Sequence, residues 1–518
     1  MNLEHILNIS FSVRKRLPEL ILVFVLLSSF SLKLNHLGHH RFGSIDECCH
    51  ALVAKNLLKD PLKPTLIDEP YIFYAETGWG GNHVWLHKPI LPLWQGALSF
   101  FFCGVSTFAF RLPSAILSTL AVLLTYLIGV QLFSRHAALI AAFAQAFSYF
   151  IMNLVQGYQF SDAVDISLLF YCELGMYGVI RLVNTGKWRF VWISGIGQGL
   201  AFLSKTYPAF IITGVALAAL LSPRLLLAKK EDCRLHFFHL LAILGITGVV
   251  AAPWMLYTAI QFPIEFKIEH DYIFRHLTEN IEFWGAPWHR VLIYTDRIFD
   301  CFFIPVAVAV CGGVTRLFRE KHMGRTLLYA WGLGVMVPFL LATTKTPSAT
   351  LIKVPAFYLI FGDFVVRTVQ RKVEDTRVHR WFRKGWIVTL CFFSLMTIYM
   401  AYDSTARNAD TKTLLETATF AEKHLPPNAV LLVEINGKNP ADHCDGHYLM
   451  FLTPFTAHAY YSEHAYKAMS RQVKKNGGIP YVVTKSELPL PVLFKSEKDK
   501  RMLYALPDMP IGPDENKK

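Results

Sequence analysis

The sequence predicts an α-helical membrane protein that crosses the bilayer about eleven times and carries a small α/β domain after its last span. Of its 518 residues, 53% are hydrophobic and only 17% are charged, whereas soluble domains carry about 25% charged residues. Apolar runs of roughly 17–25 residues, the length that crosses a hydrocarbon core of ~30 Å, recur up to residue 401. The 40 Phe, 21 Tyr and 11 Trp residues suit lipid-facing and interfacial surfaces.

The first apolar run is interpreted as an uncleaved signal anchor. Arg14, Lys15 and Arg16 precede the run at 17–34. No small-residue cleavage site follows it, as one would in a signal peptide. Because basic residues favour the cytoplasmic side, the N-terminus is expected inside.

Ten further apolar segments complete the predicted spans. They lie at 112–133, 137–155, 163–183, 190–203, 207–221, 237–260, 298–317, 326–342, 349–366 and 386–401. Two of these, at 190–203 and 207–221, are short. Removing both would leave the sidedness of every later segment unchanged.

The apolar segment at 89–104 is interpreted as an interfacial helix rather than a span. Counting it as a span would place Arg135 and the later basic clusters outside. Omitting it puts every basic cluster on one side, which the positive-inside rule favours. The segment then lies at the outer interface, and the chain beyond residue 402 is outside the membrane.

The chain after the last predicted span has the pattern of a small α/β domain. A helix is predicted at Thr411–His424, followed by a strand at 429–435. A second helix near Tyr466–Lys475 precedes a strand at 479–484. Alternation of helices and strands is typical of an α/β layer.

These patterns divide the chain into two predicted domains. The transmembrane domain covers 1–402, with outer loops at about 36–111 and 261–297, and the α/β domain covers 403–518. The positive-inside rule places the N-terminus inside and the α/β domain outside the membrane.

The net charge of +13 does not indicate a nucleic-acid partner, because cytoplasmic loops of membrane proteins collect Lys and Arg. The nine Cys residues are odd in number and lie mostly inside apolar runs, so they do not predict a disulfide framework. The neighbours Cys48 and Cys49 are interpreted as free thiols.

The predicted topology gathers acids and cations on the outer face, where ionisable groups at span ends are functional candidates. A carboxylate can accept the proton of an acceptor hydroxyl. Lys and Arg can hold a phosphate and stabilise the charge that it gains as it leaves. The pattern therefore suits transfer from a phosphate-linked donor. The residues are Asp46, Glu47, His83, His87, Lys88, Asp162, Lys205, His270, Asp271, Arg275, His276 and Lys345.

Each of these residues also has a purely structural interpretation. Acids in the first turn of a helix favour the positive end of its macrodipole, and a lysine at an interface can extend its ammonium into water. The functional interpretation depends on the coincidence of such residues in five separate loops. The structural alternatives are helix capping for Asp46, Glu47 and Asp162, anchoring for Lys88, Lys205 and Lys345, and an interfacial position for His270 and His276.

Several short motifs occur in an order and spacing that resemble a known family. They are Asp46-Glu47 followed by Ala51, Ala54 and Lys55, "HKPILPLW" at 87–94, "GVSTFAFRLPSAI" at 104–116, "FSRHAALIAAFAQAFSYFIM" with "SDAVDISLLF" up to residue 170, "GLAFLSKTYPAF" at 199–210 and "APWMLYT" at 252–258. From about residue 17 to 370 the chain resembles the bacterial GT-C glycosyltransferases related to protein O-mannosyltransferases, closest to the lipid A aminoarabinose transferase (ArnT) type.

The resemblance implies a polyprenyl (undecaprenyl) phosphate-linked sugar as donor, transferred with inversion at the outer membrane face. The acceptor would be an envelope molecule, such as a lipid A-type glycolipid, another glycan or a protein. The implied location is the bacterial inner membrane, with the N-terminus cytoplasmic and with the active site and the α/β domain periplasmic. The implied roles are Asp46 as base, Glu47 and Asp162 as supporting acids, and Lys88, Arg275, Lys205 and Lys345 as ligands of the donor phosphate.

The chain departs from the family pattern in several places. His87 stands where the family often has Glu, His50 where Tyr is common, and Cys48 replaces a small residue. Ala349 follows Lys345 where an aromatic residue is expected. These departures leave the sugar and the acceptor open.

No cofactor is required by the sequence, although a divalent metal is one possibility. Some relatives bind a divalent metal near the lipid phosphate. His87 and His270 are the candidate ligands here, because imidazole suits zinc.

Two other functions remain open on the sequence. One is a transporter or flippase of a lipid-linked sugar, a class that often shows paired repeats and broken helices, and the chain shows no internal repeat. The other is a non-catalytic family member that acts in envelope assembly, which the departures at His87 and Ala349 would suit.

Overall fold

The computed structural model describes most of the chain as two compact units. The described residues are 3–35, 37–38, 42, 44–72, 83–158, 163–225, 227–281, 285–370, single positions between 384 and 399, 414–435, 444–498 and 500–506. The first unit, here called the membrane unit, comprises Met1–His36, Leu112–Gln156 and Ser161–Arg407. The second, here called the α/β unit, comprises Leu37–Arg111, Gly157–Phe160 and Asn408–Lys518.

Helices dominate the described residues. In chain order they are α1 (Leu3–Leu34), α2 (Ile45–Asn56), α3 (Ile90–Cys103), α4 (Thr107–Leu132), α5 (Arg135–Ala146), α6 (Tyr149–Val155), α7 (Ala163–Thr185), α8 (Arg189–Lys205), α9 (Ile211–Leu221), α10 (Phe237–Gln261), α11 (Pro263–Thr278), α12 (Arg290–Phe299), α13 (Phe303–Glu320), α14 (Met323–Leu341), α15 (Val354–Gln370), α16 (Leu415–His424), α17 (Asp445–Leu452) and α18 (Glu463–Lys475). The strands are β1 (Ala429–Glu434), β2 (Thr456–Tyr460), β3 (Ile479–Thr484), β4 (Val492–Lys495) and β5 (Met502–Ala505).

The membrane unit confirms the prediction of a polytopic helical fold. In the described part of the chain, six helical stretches are long and apolar enough to cross a membrane, and the pair α5–α6, bent by 48°, makes a seventh. Helices occupy ten of the eleven predicted span positions, and the remaining one, 386–401, lies largely outside the described residues. The count of eleven spans stays a prediction, because α8, α9 and α15 have only 17, 11 and 17 residues.

The predicted interfacial segment at 89–104 is the helix α3. It has 14 residues, which at about 1.5 Å per residue is too short for a ~30 Å core. It starts after Pro89 and stops at Gly104, whose φ of +77° is a conformation that glycine adopts at little cost. Its far end carries Phe101 and Phe102, which are 73% and 74% exposed. Its position at the interface remains a prediction.

Close helix contact in the membrane unit depends on small residues. The backbones of α7 and α8 meet at Gly175 and Gly197, where a Cβ added to Gly197 would lie 2.8 Å from the Cα of Gly175. A Cβ added to Gly178 would lie 2.7 Å from the backbone nitrogen of Ser194. In a bilayer, where lipid is as apolar as leucine, such close packing drives helix association.

A buried polar cluster joins three of the apolar helices. Glu173 of α7 accepts hydrogen bonds from Thr125 Oγ1 of α4 at 2.8 Å and from Gln145 Nε2 of α5 at 2.7 Å. All three side chains are buried. An acid at the middle of a predicted span was not anticipated from the sequence, which drew attention only to acids at span ends.

The α/β unit is built around a five-stranded sheet in the order β2-β1-β3-β5-β4. β1 is parallel to β2 and β3, and β5 is antiparallel to β3 and β4. The predicted helix and strand at 411–424 and 429–435 are confirmed as α16 and β1, and the predicted pair at 466–475 and 479–484 as α18 and β3. The sequence missed α17, β2 and the β4–β5 pair, which are short.

The first outer loop forms part of the α/β unit. Lys55 Nζ, at the end of α2, donates to the carbonyls of Met450, Phe451 and Thr453 at the end of α17, at 2.7, 3.0 and 2.8 Å. Asn476 Nδ2 donates to Tyr71 O at 2.7 Å. The compact units therefore group residues 37–111 with the C-terminal residues, whereas the predicted division assigned this loop to the transmembrane domain.

The buried His458 of β2 should make the α/β unit sensitive to acid. Burial, and then the neighbouring His447, lower the pKa of His458 to about 4, against about 6.5 in an unfolded chain. The neutral imidazole therefore contributes stability that is present above pH ~6.5 and is lost as the pH falls towards 4, about 2 kcal/mol at pH 5. We expect a lower apparent melting temperature at pH 5 than at pH 7 for the full-length protein in detergent. The variant His458→Gln should show a smaller pH difference, and an equal one would contradict this assignment.

Candidate active-site residues

The predicted acid pair opens α2 in the α/β unit. Ser44 caps the helix by accepting a hydrogen bond from the Glu47 backbone nitrogen at 3.2 Å. Asp46 is partly exposed in the first turn, a position at which a negative charge interacts favourably with the positive end of the helix macrodipole. Glu47 is buried, so the two adjacent acids have different environments.

Glu47 forms a bidentate ion pair with Arg111. Arg111 Nε donates to Glu47 Oε1 at 2.6 Å and Arg111 Nη2 donates to Glu47 Oε2 at 3.0 Å, and both side chains are 2% exposed. Arg111 Nη1 also donates to Leu37 O at 3.1 Å. Two charge-assisted hydrogen bonds therefore hold the Glu47 carboxylate in one orientation.

Gly157 leaves room for this ion pair. Its φ is +80°, and a Cβ at this position would lie 2.6 Å from Arg111 Cζ. Only glycine satisfies both the backbone conformation and the space.

Lys88 lies in the α/β unit directly before α3. Its neighbour Pro89 occupies the N-cap position with φ −60° and ψ 153°, so the backbone at this point is restricted. The side chain is partly exposed, and its ammonium has no hydrogen-bond or ion-pair partner among the described residues.

Lys205 pairs with a buried acid in the membrane unit. Its ammonium forms an ion pair with Asp165 Oδ1, and the two side chains are 25% and 1% exposed. α8 ends at Lys205, and the following Thr206 has a left-handed backbone with φ 54° and ψ −125°. The predicted acid Asp162 lies outside the described residues.

Arg275 and Lys345 are close to a backbone hydrogen bond that links two segments of the membrane unit. Thr344 N donates to His276 O at 3.0 Å. Lys345 Nζ donates to Ala286 O at 2.9 Å, and burial lowers its pKa. Arg275 is exposed and pairs with Glu279 at 2.8 Å, and this hydrogen bond raises the pKa of Arg275.

The two predicted metal ligands, His87 and His270, each make contacts within their own unit. His270 Nδ1 lies 3.2 Å from Phe266 O, and its ring packs on Phe266 at 4.2 Å between centroids. His87 packs against Trp85 at 5.6 Å. Within the described ranges, no group of three or more His, Cys, Asp or Glu side chains is arranged to hold a metal ion. A metal at His87 and His270 stays a prediction.

Sequence reasoning missed the two charged partners of the predicted residues. Arg111 lies in the quoted stretch 104–116 and Asp165 lies three residues after Asp162, but neither carries a local pattern that marks it as a partner. Asp162 and Asp165 are spaced as neighbours on one helical face, which was the available signal for Asp165.

The fold is of the GT-C type. It matches the crystal structure of ArnT from Cupriavidus metallidurans bound to undecaprenyl phosphate with a TM-score of 0.67, at 14% identity, over 96% of this chain and 99% of that chain. The archaeal oligosaccharyltransferase AglB from Archaeoglobus fulgidus matches with a TM-score of 0.58, at 15% identity, over 91% of this chain and 69% of that chain.

Sequence comparison agrees with the fold. The family described as dolichyl-phosphate-mannose-protein mannosyltransferase matches residues 87–257. An undecaprenyl phosphate-α-4-amino-4-deoxy-L-arabinose arabinosyl transferase of Pseudomonas fluorescens is 22% identical over 328 residues, which cover 61% of this chain and 54% of that protein. The match thus spans little more than half of this relative. The lipid A galacturonosyltransferase RgtD of Rhizobium johnstonii is 23% identical over 33% of each chain.

These findings confirm the resemblance drawn from the sequence. The protein is a multi-pass membrane protein of the GT-C type, similar to ArnT and to the protein mannosyltransferases.

Removal of Arg111 should destabilise the protein strongly. Arg111→Ala leaves the Glu47 carboxylate buried without its partner, which typically costs about 3–5 kcal/mol. We expect a marked fall in the apparent melting temperature in detergent. The double variant Arg111→Met, Glu47→Gln removes both charges and should recover part of the loss. An unchanged melting temperature for Arg111→Ala would show that the pair does not stabilise the fold.

Proposed function

We propose that the protein transfers a sugar, with inversion, from a polyprenyl phosphate-linked donor to an envelope acceptor at the outer face of the inner membrane. The GT-C fold and the similarity to transferases named for undecaprenyl phosphate-linked and lipid A sugars support this function. The observation that carries it is the difference between the adjacent acids. Arg111 neutralises Glu47, while Asp46 stays partly exposed in the first turn of α2.

Asp46 is the proposed general base. In an inverting transfer the acceptor oxygen attacks the anomeric carbon, the bond to the phosphate oxygen breaks, and the proton of the acceptor moves to Asp46. Glu47 then acts as a positioning residue, because its ion pair with Arg111 orients the start of the same helix.

Lys88 is the proposed ligand of the donor phosphate. The other three predicted cations already have partners. Lys205 forms an ion pair with Asp165, and Arg275 forms one with Glu279. Lys345 donates hydrogen bonds to backbone carbonyls. An ammonium on a restricted backbone forms a charge-assisted hydrogen bond that strengthens as the departing phosphate gains charge. Lys205, Arg275 and Lys345 remain candidates whose present partners would have to be exchanged for a phosphate.

Mass spectrometry of envelope lipids, glycans and proteins from cells with and without the gene tests the proposed function. We expect one class of molecule to lose the mass of a single sugar residue when the gene is deleted. If lipid-linked sugar accumulates on the inner face instead, the protein is a flippase. Identical spectra would argue for a non-catalytic role.

Asp46→Asn should abolish transfer while the protein still inserts and accumulates. The amide keeps the shape of the side chain but cannot accept the proton, and general-base catalysis is typically worth ~10²–10⁴ in rate. The measurement is turnover of a polyprenyl-phosphate sugar by purified protein. Glu69→Gln, an exposed acid in the same unit, is the matched control and should be unaffected. Near-normal turnover of Asp46→Asn would exclude Asp46 as the base.

Lys88→Ala should lose at least ~10-fold in donor-dependent transfer, about 1.4 kcal/mol. Lys88→Arg should retain part of the activity, because the charge survives while the geometry changes. The control is Lys59→Ala, which removes an exposed lysine that pairs with Asp68 at 2.5 Å in the same unit. Unchanged kinetics for purified Lys88→Ala would identify Lys88 as an interfacial anchor.

A further inference from the structure

Two cysteines that are almost 400 residues apart in the chain meet inside the α/β unit. Cys48 Sγ of α2 lies 3.8 Å from the backbone oxygen of Cys444, the N-cap residue of α17. Cys48 is 0% exposed and Cys444 is 4% exposed. The third cysteine of this region, Cys49, is also buried.

The contacts at the two ends of α2 show that it runs in the same direction as α17. Cys48 lies against Cys444 at the start of α17, and Lys55 binds the carbonyls of Met450, Phe451 and Thr453 at its end. Lys55 is seven positions after Cys48, and Phe451 is seven positions after Cys444. The two cysteines therefore lie at the same level of two parallel, packed helices.

This register suits a covalent link. A disulfide needs two Cα atoms about 4.4–6.8 Å apart with side chains that face each other, and residues at the same level of two packed helices approach one another most closely. Adjacent residues of a helix point about 100° apart, so only one of Cys48 and Cys49 can face Cys444. The contact with the Cys444 backbone selects Cys48.

We propose that Cys48 and Cys444 form a disulfide that links α2 to the C-terminal part of the α/β unit. The inference rests on the outward orientation of this unit proposed above, because disulfides persist in oxidising compartments outside the cytoplasm. In this structure neither Cys48 nor Cys444 takes part in a disulfide, in agreement with the interpretation of Cys48 from the sequence, and the proposed bond would form by oxidation of this pair.

The chemistry is a thiol–disulfide exchange with an external protein disulfide as the oxidant. A thiolate from one cysteine attacks the external disulfide and displaces one of its sulfurs as a thiol. The second cysteine then attacks the mixed disulfide, which forms the new S–S bond and releases the oxidant as a dithiol. Two electrons pass to the oxidant, which also takes up the two protons. Because both cysteines are buried in the folded unit, the exchange takes place while the chain folds.

The link would hold the helix that carries the proposed base. Asp46 is two residues from Cys48, so a bond at Cys48 would link the start of α2 covalently to the start of α17. A cross-link across a long loop stabilises a fold mainly by restricting the unfolded chain. Reduction should therefore lower the melting temperature of the protein without removing any group that takes part in transfer.

Peptide mass spectrometry of the full-length protein tests the pair directly. Cells are quenched with a maleimide before lysis, and the protein is digested with trypsin without reductant. We expect a linked species of the peptides 42–55 and 439–467, about 2 Da lighter than their sum because two hydrogens are lost. Recovery of both peptides only in the maleimide-labelled form would overturn the proposal.

Serine variants assign the bond. Cys48→Ser and Cys444→Ser should each abolish the linked species, and Cys49→Ser should keep it. A link that survives in Cys48→Ser would belong to Cys49 and would overturn the pairing with Cys48. Reductant should lower the melting temperature of the wild-type protein but not that of Cys444→Ser. Transfer activity is measured on the same samples, so a missing disulfide in an active enzyme is distinguished from failure of the proposed function.

Discussion

The buried ion pair between Glu47 and Arg111 is the constraint on which the start of α2 depends. Two charges that are each 2% exposed are tolerated only when their geometry is good and their remaining donors are satisfied. The bidentate contact and the bond to Leu37 O meet that condition. The conformation of Gly157 leaves the space that the guanidinium needs. Asp46 is thereby presented at the first turn of a helix whose orientation is set by its buried neighbour.

Charged groups in the membrane unit follow the same rule. Lys205 has Asp165, the ammonium of Lys345 has backbone carbonyls, and the mid-span acid Glu173 has two hydrogen-bond donors. A polar group in an apolar environment is costly unless it is paired. For a phosphate to bind Lys205 or Lys345, an existing interaction must be exchanged. Lys88 differs because its ammonium has no such partner in the described part of the chain.

The α/β unit groups segments that are far apart in the sequence. Lys55 donates hydrogen bonds to carbonyls at the end of α17, almost 400 residues later in the chain. Tyr71 packs against the hydrophobic core beside the five-stranded sheet and accepts a hydrogen bond from Asn476. The predicted boundary at residue 402 marks the end of the apolar pattern, which is a local property. The assembly of residues 37–111 with the C-terminal sheet depends on contacts that no local pattern records.

The sequence alone determined the class of the protein, the helices at ten of the eleven predicted span positions, the non-spanning length of α3 and four of the elements in the α/β unit. These features depend on hydropathy, periodicity and short-range capping, which neighbouring residues encode. Only the tertiary structure decided which acid of the pair binds Arg111, which predicted cation has no partner among the described residues, and which cysteines meet. Those properties depend on Arg111, Asp165 and Cys444, which become neighbours of α2 or α8 only when distant segments fold together.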